Sequence, residues 1–338
     1  MADRARLRVP HRVRGAGLHH LGAHLPRRHP DDGQEAQPRR SLALGEAALT
    51  STARAGDAGA ALRVGLFQFA PRLGDRAANL ATIAAGLAAI DAELVVLPEL
   101  ATSGYALPDR ETALALAESP AGSPGLTALQ ALAESRGTAL AVGLPLREGE
   151  RLYNAAALLR PGEAPVFYRK LHLFDREALL FDPGDRPPAV TAVGALRVGL
   201  MICFDWVFPE VARCLALAGA DLIAHPSNLV LPGLAQGAMA TRAIENGVFA
   251  ATANRVGEEA FPDGERLRFT GGSQLLDPRG RPLLAFSAEE SRGGAVTLVP
   301  AEARNKRLTP RNHLLADRRP ALYAGLLGDG TPDRAGDA

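Results

Sequence analysis

The chain has 338 residues, of which 47% are hydrophobic and 22% charged, and its formal net charge is +1 at pH 7. This near-balance of charge argues against a broad nucleic-acid surface, which requires an excess of basic residues on one face. No apolar run reaches the ~18 residues of a membrane span, since the best candidate, residues 190–204, is interrupted by Arg197. With only Cys203 and Cys214 present, a disulfide framework is excluded, and a reducing, cytoplasmic compartment is expected.

Residues 1–60 differ in composition from the rest of the chain. They carry five of the eight histidines and many arginines, and they show no sustained hydrophobic period. The apolar core of a secretory signal is missing, and acidic residues such as Asp31 and Glu35 argue against an Arg-rich transit peptide. A His-rich metal site is an open alternative, although no partner carboxylate or cysteine stands at ligand spacing from the histidines. We expect a disordered or misassigned extension over 1–60, one domain over 61–325 and a flexible tail over 326–338.

Apolar, β-prone runs alternate with segments of helical period over residues 62–323. The predicted strands are Leu62–Phe69, Leu94–Leu97, Ala139–Leu144, Tyr153–Leu159, Val166–Lys170, Ala195–Phe204, Leu222–Ala224, Phe249–Ala253, Ser273–Asp277, Leu283–Phe286 and Ala295–Val299. The predicted helices follow Asp75 and cover Pro124–Arg136, Pro209–Ala218 and Gln236–Asn246. Alternating strands and helices indicate an α/β fold in which apolar strands form buried sheets.

Three strand ends present side chains capable of chemistry. Glu99 follows the run Leu94–Leu97, Lys170 closes another strand, and Cys203 lies at the end of a third. Taken one at a time, each has a structural explanation: a charge at the sheet rim, a solvated basic pair with Arg169, and a small buried hydrophobe. Lys170 is nevertheless one of only two lysines in the chain, and the three residues together suggest a catalytic group.

Seven stretches resemble the signatures of the nitrilase, or carbon–nitrogen hydrolase, superfamily, in that family's order. They are LPEL (97–100), YNAAALL (153–159), YRKLHLFD (168–175), GLMICFDWVFPE (199–210), GADLIAHPSN (219–228), RAIENGVF (242–249) and ARNKRL (303–308). The residues after the cysteine, Phe204-Asp205-Trp206, resemble the amidase-like branch. The resemblance implies a four-layer α-β-β-α sandwich, a triad of Glu99, Lys170 and Cys203, no cofactor or metal, and a homodimer or higher homo-oligomer.

The residue types suit the chemistry that the resemblance implies. A thiol is a weak nucleophile until it loses its proton, and the Glu99 carboxylate would serve as the general base. Lys170 and the backbone N–H of Phe204 would stabilise the negative charge on the carbonyl oxygen. A helix beginning near Pro209 would favour the thiolate through its dipole.

Further side chains are candidates for supporting roles. Asn154 and His172 flank the lysine region, and structural hydrogen bonding is the preferred interpretation of both. Asp205 is expected to anchor the turn after the nucleophile, and Cys214 to be inert core. Four residues are candidates for lining the acyl pocket, with ordinary core packing as the alternative for each: Tyr105, Phe174, Trp206 and Asn228.

One position departs from the pattern of the family. Many members carry a second glutamate in a stretch such as G-x-P-E, whereas here the stretch is Gly143-Leu144-Pro145-Leu146. Leu146 would therefore line the substrate site and make it drier and less negative. Glu148 lies in a predicted hairpin turn and is not expected to substitute. Losing a buried acceptor of this kind costs ~1–3 kcal/mol, so either a fall in activity or a shift in substrate preference is expected.

The sequence thus predicts a hydrolase that cleaves a non-peptide C–N bond of a small carboxamide or N-carbamoyl compound. The acyl group would rest on Cys203 as a thioester, and ammonia would leave. Two alternatives stay open: a nitrilase acting on a small nitrile through the same cysteine, and a catalytically impaired binding protein, because of Leu146. The expected partner is a small amide-like molecule, with neither nucleic acid nor membrane involved.

Overall fold

Strands and helices alternate along the chain in the computed structural model, which describes residues 60–327. The extension predicted for residues 1–60 lies outside the described residues, except for Ala60. The predicted tail from residue 326 also lies outside them, except for its first two residues, which belong to a short 3-10 helix (Ala324–Leu327). No helix within residues 60–327 has the length and apolar character needed to cross a membrane.

The strands are β1 (Leu62–Gln68), β2 (Leu94–Val96), β3 (Ala139–Glu148), β4 (Arg151–Leu159), β5 (Val166–Arg169), β6 (Val190–Val193), β7 (Leu196–Leu200), β8 (Leu222–Pro226), β9 (Phe249–Ala253), β10 (Glu258–Ala260), β11 (Arg266–Arg268), β12 (Gln274–Leu276), β13 (Pro282–Ala285) and β14 (Arg292–Leu298). The α-helices are α1 (Arg76–Ala88), α2 (Arg110–Leu116), α3 (Pro124–Arg136), α4 (Glu177–Leu180), α5 (Pro209–Leu217), α6 (Leu234–Asn246) and α7 (Pro300–Arg304). Two further 3-10 helices cover Cys203–Val207 and Pro320–Leu322.

These strands form two six-stranded sheets and one separate hairpin, β10–β11. The first sheet has the order β14-β1-β2-β3-β4-β5, in which β1, β2 and β3 are parallel to one another and the other pairs are antiparallel. The second has the order β13-β12-β9-β8-β7-β6, with β7, β8 and β9 parallel. Glu99 follows β2 and Cys203 follows β7, so each lies beyond the carboxyl end of a central parallel strand, where α/β sheets place their ligands.

Alternating apolar side chains divide the core into layers. One cluster joins the two sheets face to face, with Val64 and Leu94 from the first and Val198, Leu222 and Phe249 from the second. A second cluster packs α1 and α3 on the outer face of the first sheet. A third packs α5 and α6 on the outer face of the second sheet. The order is helix, sheet, sheet, helix, and the predicted α/β fold is confirmed.

Several segments differ from the sequence prediction. The strand predicted over Ala195–Phe204 ends at Leu200, because the Asp205 carboxylate accepts a hydrogen bond from the Ile202 N–H (2.9 Å) and turns the chain into a 3-10 helix. The helix α2 was not predicted, although Asp109 caps it by accepting from the Thr112 N–H (2.7 Å). The short strands β6, β10 and β11 and the short helices α4 and α7 were not predicted either.

Gly143 on β3 allows the segment after β2 to approach closely. Its N–H donates to the Pro98 carbonyl (3.0 Å) and its carbonyl accepts from the Ala101 N–H (2.8 Å). A Cβ atom at this position would overlap Glu99 Cα and would lie 2.7 Å from the Leu100 nitrogen. These are backbone atoms that cannot rotate away, so the position of Glu99 depends on a glycine at residue 143.

We therefore expect Gly143→Ala to lower the free energy of unfolding by about 1–3 kcal/mol, through overpacking against backbone, and to lower catalytic activity as well. Gly237→Ala is the matched control, since that glycine lies in α6 with open space around it. The control should be neutral or stabilising by up to ~1 kcal/mol. Thermal melts of both variants check this, and equal melting temperatures would contradict it.

Candidate active site

Glu99 is fully buried just beyond the end of β2. Its Oε1 accepts hydrogen bonds from Lys170 Nζ (2.7 Å) and from Asn154 Nδ2 (2.7 Å). Its Oε2 has no hydrogen-bond partner among the described residues. Buried polar atoms are nearly always paired, so an unpaired carboxylate oxygen requires an explanation. An acceptor with free lone pairs is what a general base needs.

Lys170 directly follows β5, and its side chain is fully buried. Nζ lies 2.7 Å from Glu99 Oε1 and 2.7 Å from the Glu177 carboxylate, while the backbone N–H donates to the Asn154 carbonyl (2.8 Å). Burial alone would lower the pKa of this amine, but the charges of Glu177 and Glu99 outweigh burial and raise it above its usual value. Lys170 is therefore a fixed cation.

Glu177, at the start of α4, is the buried carboxylate that the sequence analysis missed. It accepts hydrogen bonds from Lys170 Nζ, from the Tyr105 hydroxyl (2.9 Å) and from the Phe174 N–H (3.1 Å). Burial, reinforced by the charge of Glu99, raises the pKa of Glu177 to about 7, although Lys170 opposes the shift. Both carboxylates therefore contact the same ammonium.

Little in the local sequence distinguishes Glu177 from a surface glutamate. The one local indication that Glu177 is buried is the apolar pair Leu180-Phe181. Both residues are buried in one apolar cluster, so α4 packs against the protein. The stretch that resembles the family, YRKLHLFD, ends at Asp175, two residues before this carboxylate.

Cys203 begins the 3-10 helix after β7, with a backbone φ of 38° and 6% of its surface exposed. Burial raises the pKa of its thiol well above the usual range, and the charge of Glu99 raises it further. Lys170 and the Asn228 backbone N–H act in the opposite direction but do not outweigh burial. The resting sulfur is therefore protonated and requires a base.

Asp205 ties the turn that carries Cys203 to the segment after β5. One carboxylate oxygen accepts from the Ile202 N–H (2.9 Å) and the Tyr168 hydroxyl (2.7 Å). The other lies 2.8 Å from His172 Nδ1 and 3.2 Å from the His172 backbone nitrogen. Asp205 thus contacts the backbone of the turn, as expected, and His172 makes structural hydrogen bonds.

A small cavity opens at Cys203. Three of the four predicted pocket residues line it, namely Phe174, Trp206 and Asn228, together with Phe204, Leu229, Val230, Leu231 and Ala235. Its free volume is ≈ 20 Å³, and none of these lining side chains is charged. Asn228 donates to the Glu99 carbonyl (2.9 Å), while its Oδ1 has no partner among residues 60–327. That oxygen is therefore a free acceptor on a residue that lines the cavity.

Tyr105, the fourth predicted pocket residue, does not line this cavity. Its hydroxyl donates to Glu177, and burial and the Glu177 charge raise its pKa, so the phenol keeps its proton. Its backbone N–H donates to Glu259 Oε2 (2.8 Å), and Glu259 is itself ion-paired with the buried Arg255. Tyr105 therefore contacts the site through Glu177.

The prediction that Leu146 lines the substrate site is wrong. Residues of β3 alternate between the two faces of the first sheet, and Leu146 is fully buried in the outer cluster under α1 and α3, together with Leu144 and Phe67. The position beside Lys170 is occupied by Glu177. Glu148 does not reach the site either, as expected, because it is ion-paired with Arg169.

Cys214 was predicted to be buried in the core, but it is exposed on α5.

Within the described part of the chain, no group of three or more histidine, cysteine, aspartate or glutamate side chains is placed to hold a metal ion.

Comparison with known proteins identifies relatives with enzymatic names. Residues 63–305 match the family described as carbon-nitrogen hydrolase. A protein named nitrilase from Pyrococcus abyssi is 42% identical over 232 residues, which cover 69% of this chain and 86% of that protein. An (R)-stereoselective amidase from a Pseudomonas species is 37% identical over 235 residues, covering 68% and 83%.

Among solved structures, a variant of the amidase from Nesterenkonia sp. AN1 superposes with a TM-score of 0.65 and 30% identity, covering 78% of this chain and 96% of that one. It carries the acetamide moiety of fluoroacetamide added covalently to its active-site cysteine.

Leu146→Glu should not raise activity, because the new carboxylate would be buried in an apolar cluster away from Lys170. We expect it to lower the free energy of unfolding by several kcal/mol, on the order of the cost of burying an unpaired charge. Leu308→Glu, at a position that is 59% exposed, is the control and should leave the melting temperature unchanged. Higher turnover in Leu146→Glu would show that residue 146 faces the substrate.

The pKa of Glu177, about 7, predicts an acid limb in the pH dependence of kcat/KM. As the pH falls through this value, Glu177 gains a proton and its ion pair with Lys170 is lost, so activity should fall on the acid side. In Glu177→Gln we expect about a hundredfold lower kcat/KM from the misplaced lysine, with the acid limb moved to lower pH. Glu150→Gln, at an exposed position, is the control. An unchanged acid limb in Glu177→Gln would exclude this assignment.

Proposed function

The chain belongs to the carbon–nitrogen hydrolase family as an amidase-type member, and we propose that it hydrolyses a small neutral carboxamide through a thioester on Cys203. One observation carries the proposal: the buried thiol of Cys203, which lines the small cavity, is subject to the charge of Glu99, a carboxylate with an oxygen unpaired among the described residues, and to the charge of Lys170, a fixed ammonium. We assign the nucleophile to Cys203, the general base to Glu99 and the cationic part of the oxyanion site to Lys170.

Acylation begins when the Cys203 thiol gives its proton to Glu99 and the sulfur forms a bond with the carbonyl carbon of the substrate. The carbonyl oxygen becomes an oxyanion, which Lys170 Nζ and the Phe204 N–H stabilise. The C–N bond then breaks as Glu99 returns the proton to the nitrogen, which leaves as ammonia. Since one carboxylate serves as base and then as acid, its unpaired oxygen must face the thiol and the leaving group in turn.

Deacylation uses the same groups in a second cycle. A water molecule attacks the thioester carbon and gives a proton to Glu99, and the oxyanion forms again beside Lys170. The C–S bond breaks, the sulfur recovers the proton from Glu99, and the carboxylic acid leaves. Glu177 contacts Lys170 rather than the reacting atoms, so it is a positioning residue that holds the ammonium charged and in place.

The lining of the cavity supports a neutral, short acyl group. Phe174, Phe204 and Trp206 offer apolar surface, and a charged end of a substrate would find no counter-ion among the lining side chains. An N-carbamoyl amino acid carries such a charge on its carboxylate. Neutral carboxamides therefore suit the cavity better than N-carbamoyl amino acids do. Asn228 Oδ1, which lacks a partner, would accept a hydrogen bond from the substrate amide.

A small nitrile is the second candidate substrate, since the relative from Pyrococcus abyssi is named a nitrilase. The same sulfur would attack the nitrile carbon to form a thioimidate. The third reading, an impaired binding protein, rested on Leu146, and this reason is removed because Leu146 faces away from the site.

Self-association and a cytoplasmic location stay predictions. Self-association is supported by three exposed leucines near the end of the described residues, Leu322, Leu326 and Leu327. Association with a second copy would cover this apolar surface.

The test is ammonia release from butyramide, butyronitrile and N-carbamoylglycine, with intact-mass analysis of quenched reactions. We expect turnover of butyramide with kcat/KM at least about tenfold above that for N-carbamoylglycine, because only the latter buries a charge. The quenched enzyme should carry one butyryl group on Cys203.

Cys203→Ala should show neither turnover nor adduct, whereas Cys214→Ser should retain both. Persistent turnover in Cys203→Ala would rule out the nucleophile, and turnover of the nitrile alone would favour the second candidate.

A further inference from the structure

A buried histidine contacts the peptide bond that joins Cys203 to Phe204. His225 lies near the end of β8, and its side chain is fully buried. Its Nε2 lies 2.9 Å from the Cys203 carbonyl oxygen. This contact is with the residue assigned as nucleophile, yet His225 takes no part in the proton transfers proposed above.

The neighbours of the ring determine which nitrogen carries the hydrogen. A carbonyl oxygen only accepts hydrogen bonds, so Nε2 must be the donor to Cys203. Ser227 Oγ lies 3.1 Å from the same nitrogen and donates to the His225 carbonyl (3.2 Å), so it too presents an acceptor to Nε2. Nδ1 lies 3.1 Å from Thr252 Oγ1, which donates to it. Burial lowers the pKa of His225 to about 4, so the ring is neutral at working pH.

The contact sets the direction of another group. A trans peptide is planar, and its C=O and N–H point in opposite directions. Holding the Cys203 carbonyl against His225 therefore aims the Phe204 N–H away from His225. Among residues 60–327 this N–H has no hydrogen-bond acceptor, although Phe204 lines the cavity at the sulfur. A free N–H at this place is the donor that an oxyanion requires.

The backbone at this peptide needs support. Cys203 has a φ of 38°, in the left-handed region where a non-glycine residue is strained. Such strain costs on the order of 1–3 kcal/mol and persists only where neighbouring groups hold it. The carbonyl has two lone pairs, so it can accept from His225 and also take part in the 3-10 helix that begins at Cys203.

We propose that His225 is a positioning residue for the reaction: its Nε2–H holds the Cys203 carbonyl and thereby orients the Phe204 N–H toward the oxyanion. This inference rests on the proposed function, since it presumes attack by Cys203. The proposal predicts that removing the His225 donor affects some reactions of Cys203 and not others. Losing the His225 donor impairs steps that develop an oxyanion and spares reactions of the sulfur that do not.

The experiment compares His225→Leu, which removes the donor, with His225→Gln, whose amide can place an N–H at a similar reach, both in a Cys214→Ser background. Two reactions are followed: hydrolysis of butyramide, which develops an oxyanion, and modification of Cys203 by methyl methanethiosulfonate, which does not. We expect His225→Leu to lower kcat about 10- to 100-fold, approaching the effect of removing an oxyanion donor. KM and the modification rate should change by less than about threefold, and His225→Gln should recover most of kcat.

Three results would overturn the proposal: an unchanged kcat in His225→Leu, a modification rate that falls together with kcat, or a His225→Gln variant as slow as His225→Leu. A failure of the proposed function is seen separately, in the parent protein, if no butyryl group is found on Cys203. If the parent acylates normally and His225→Leu acylates at the same rate, the role of His225 alone is refuted.

Discussion

A lysine ammonium buried between two carboxylates is the interaction on which the rest of the site depends. Lys170 Nζ lies 2.7 Å from Glu99 and 2.7 Å from Glu177, and all three side chains are excluded from solvent. Each isolated charge would cost several kcal/mol to bury, so these groups are tolerated only together. Their charges also act on Cys203: the charge of Glu99 reinforces burial in raising the pKa of the thiol, and Lys170 opposes this shift without outweighing it.

The scaffold delivers these groups from both sheets. Glu99 and Lys170 follow strands of the first sheet that are separated by β3 and β4, and Asn154 of β4 bridges them through its side-chain amide and its carbonyl. Cys203 comes from the second sheet, and Asp205 links its turn to His172 in the segment after β5. The site therefore forms only when the two sheets pack face to face, so the core between them has a catalytic as well as a structural purpose.

The sequence was sufficient to predict the α/β fold, and it singled out Glu99, Lys170 and Cys203, whose catalytic roles stay a proposal. Each of these residues directly follows a short apolar strand, and that pattern is local. Phe174, Trp206 and Asn228 were selected as pocket residues on the same motifs, and they do line the cavity. What these predictions share is that they depend on residues adjacent in the chain.

The predictions that failed depended on side-chain direction or on distant contacts. Leu146 was placed at the substrate because of its distance from Gly143 in the chain, but a shift of one residue along a strand reverses the face that a side chain occupies. Glu177 was missed because its burial depends on how the chain folds back after Lys170 and on Tyr105, which is 72 residues away in the chain. The turn at Cys203 was read as strand because its apolar residues resemble β7, whereas the Asp205 carboxylate ends the strand.

The ionisation of Cys203 in the resting enzyme tests the central claim most directly. The thiolate absorbs in the ultraviolet, so a pH titration of the Cys214→Ser protein, with the additional Cys203→Ala variant as blank, reports the charge of this one sulfur. If a carboxylate base activates a buried neutral thiol, no thiolate signal should appear at neutral pH. A thiolate already present at neutral pH would mean that the sulfur is paired with Lys170 at rest, and the account of Glu99 as its base would be contradicted.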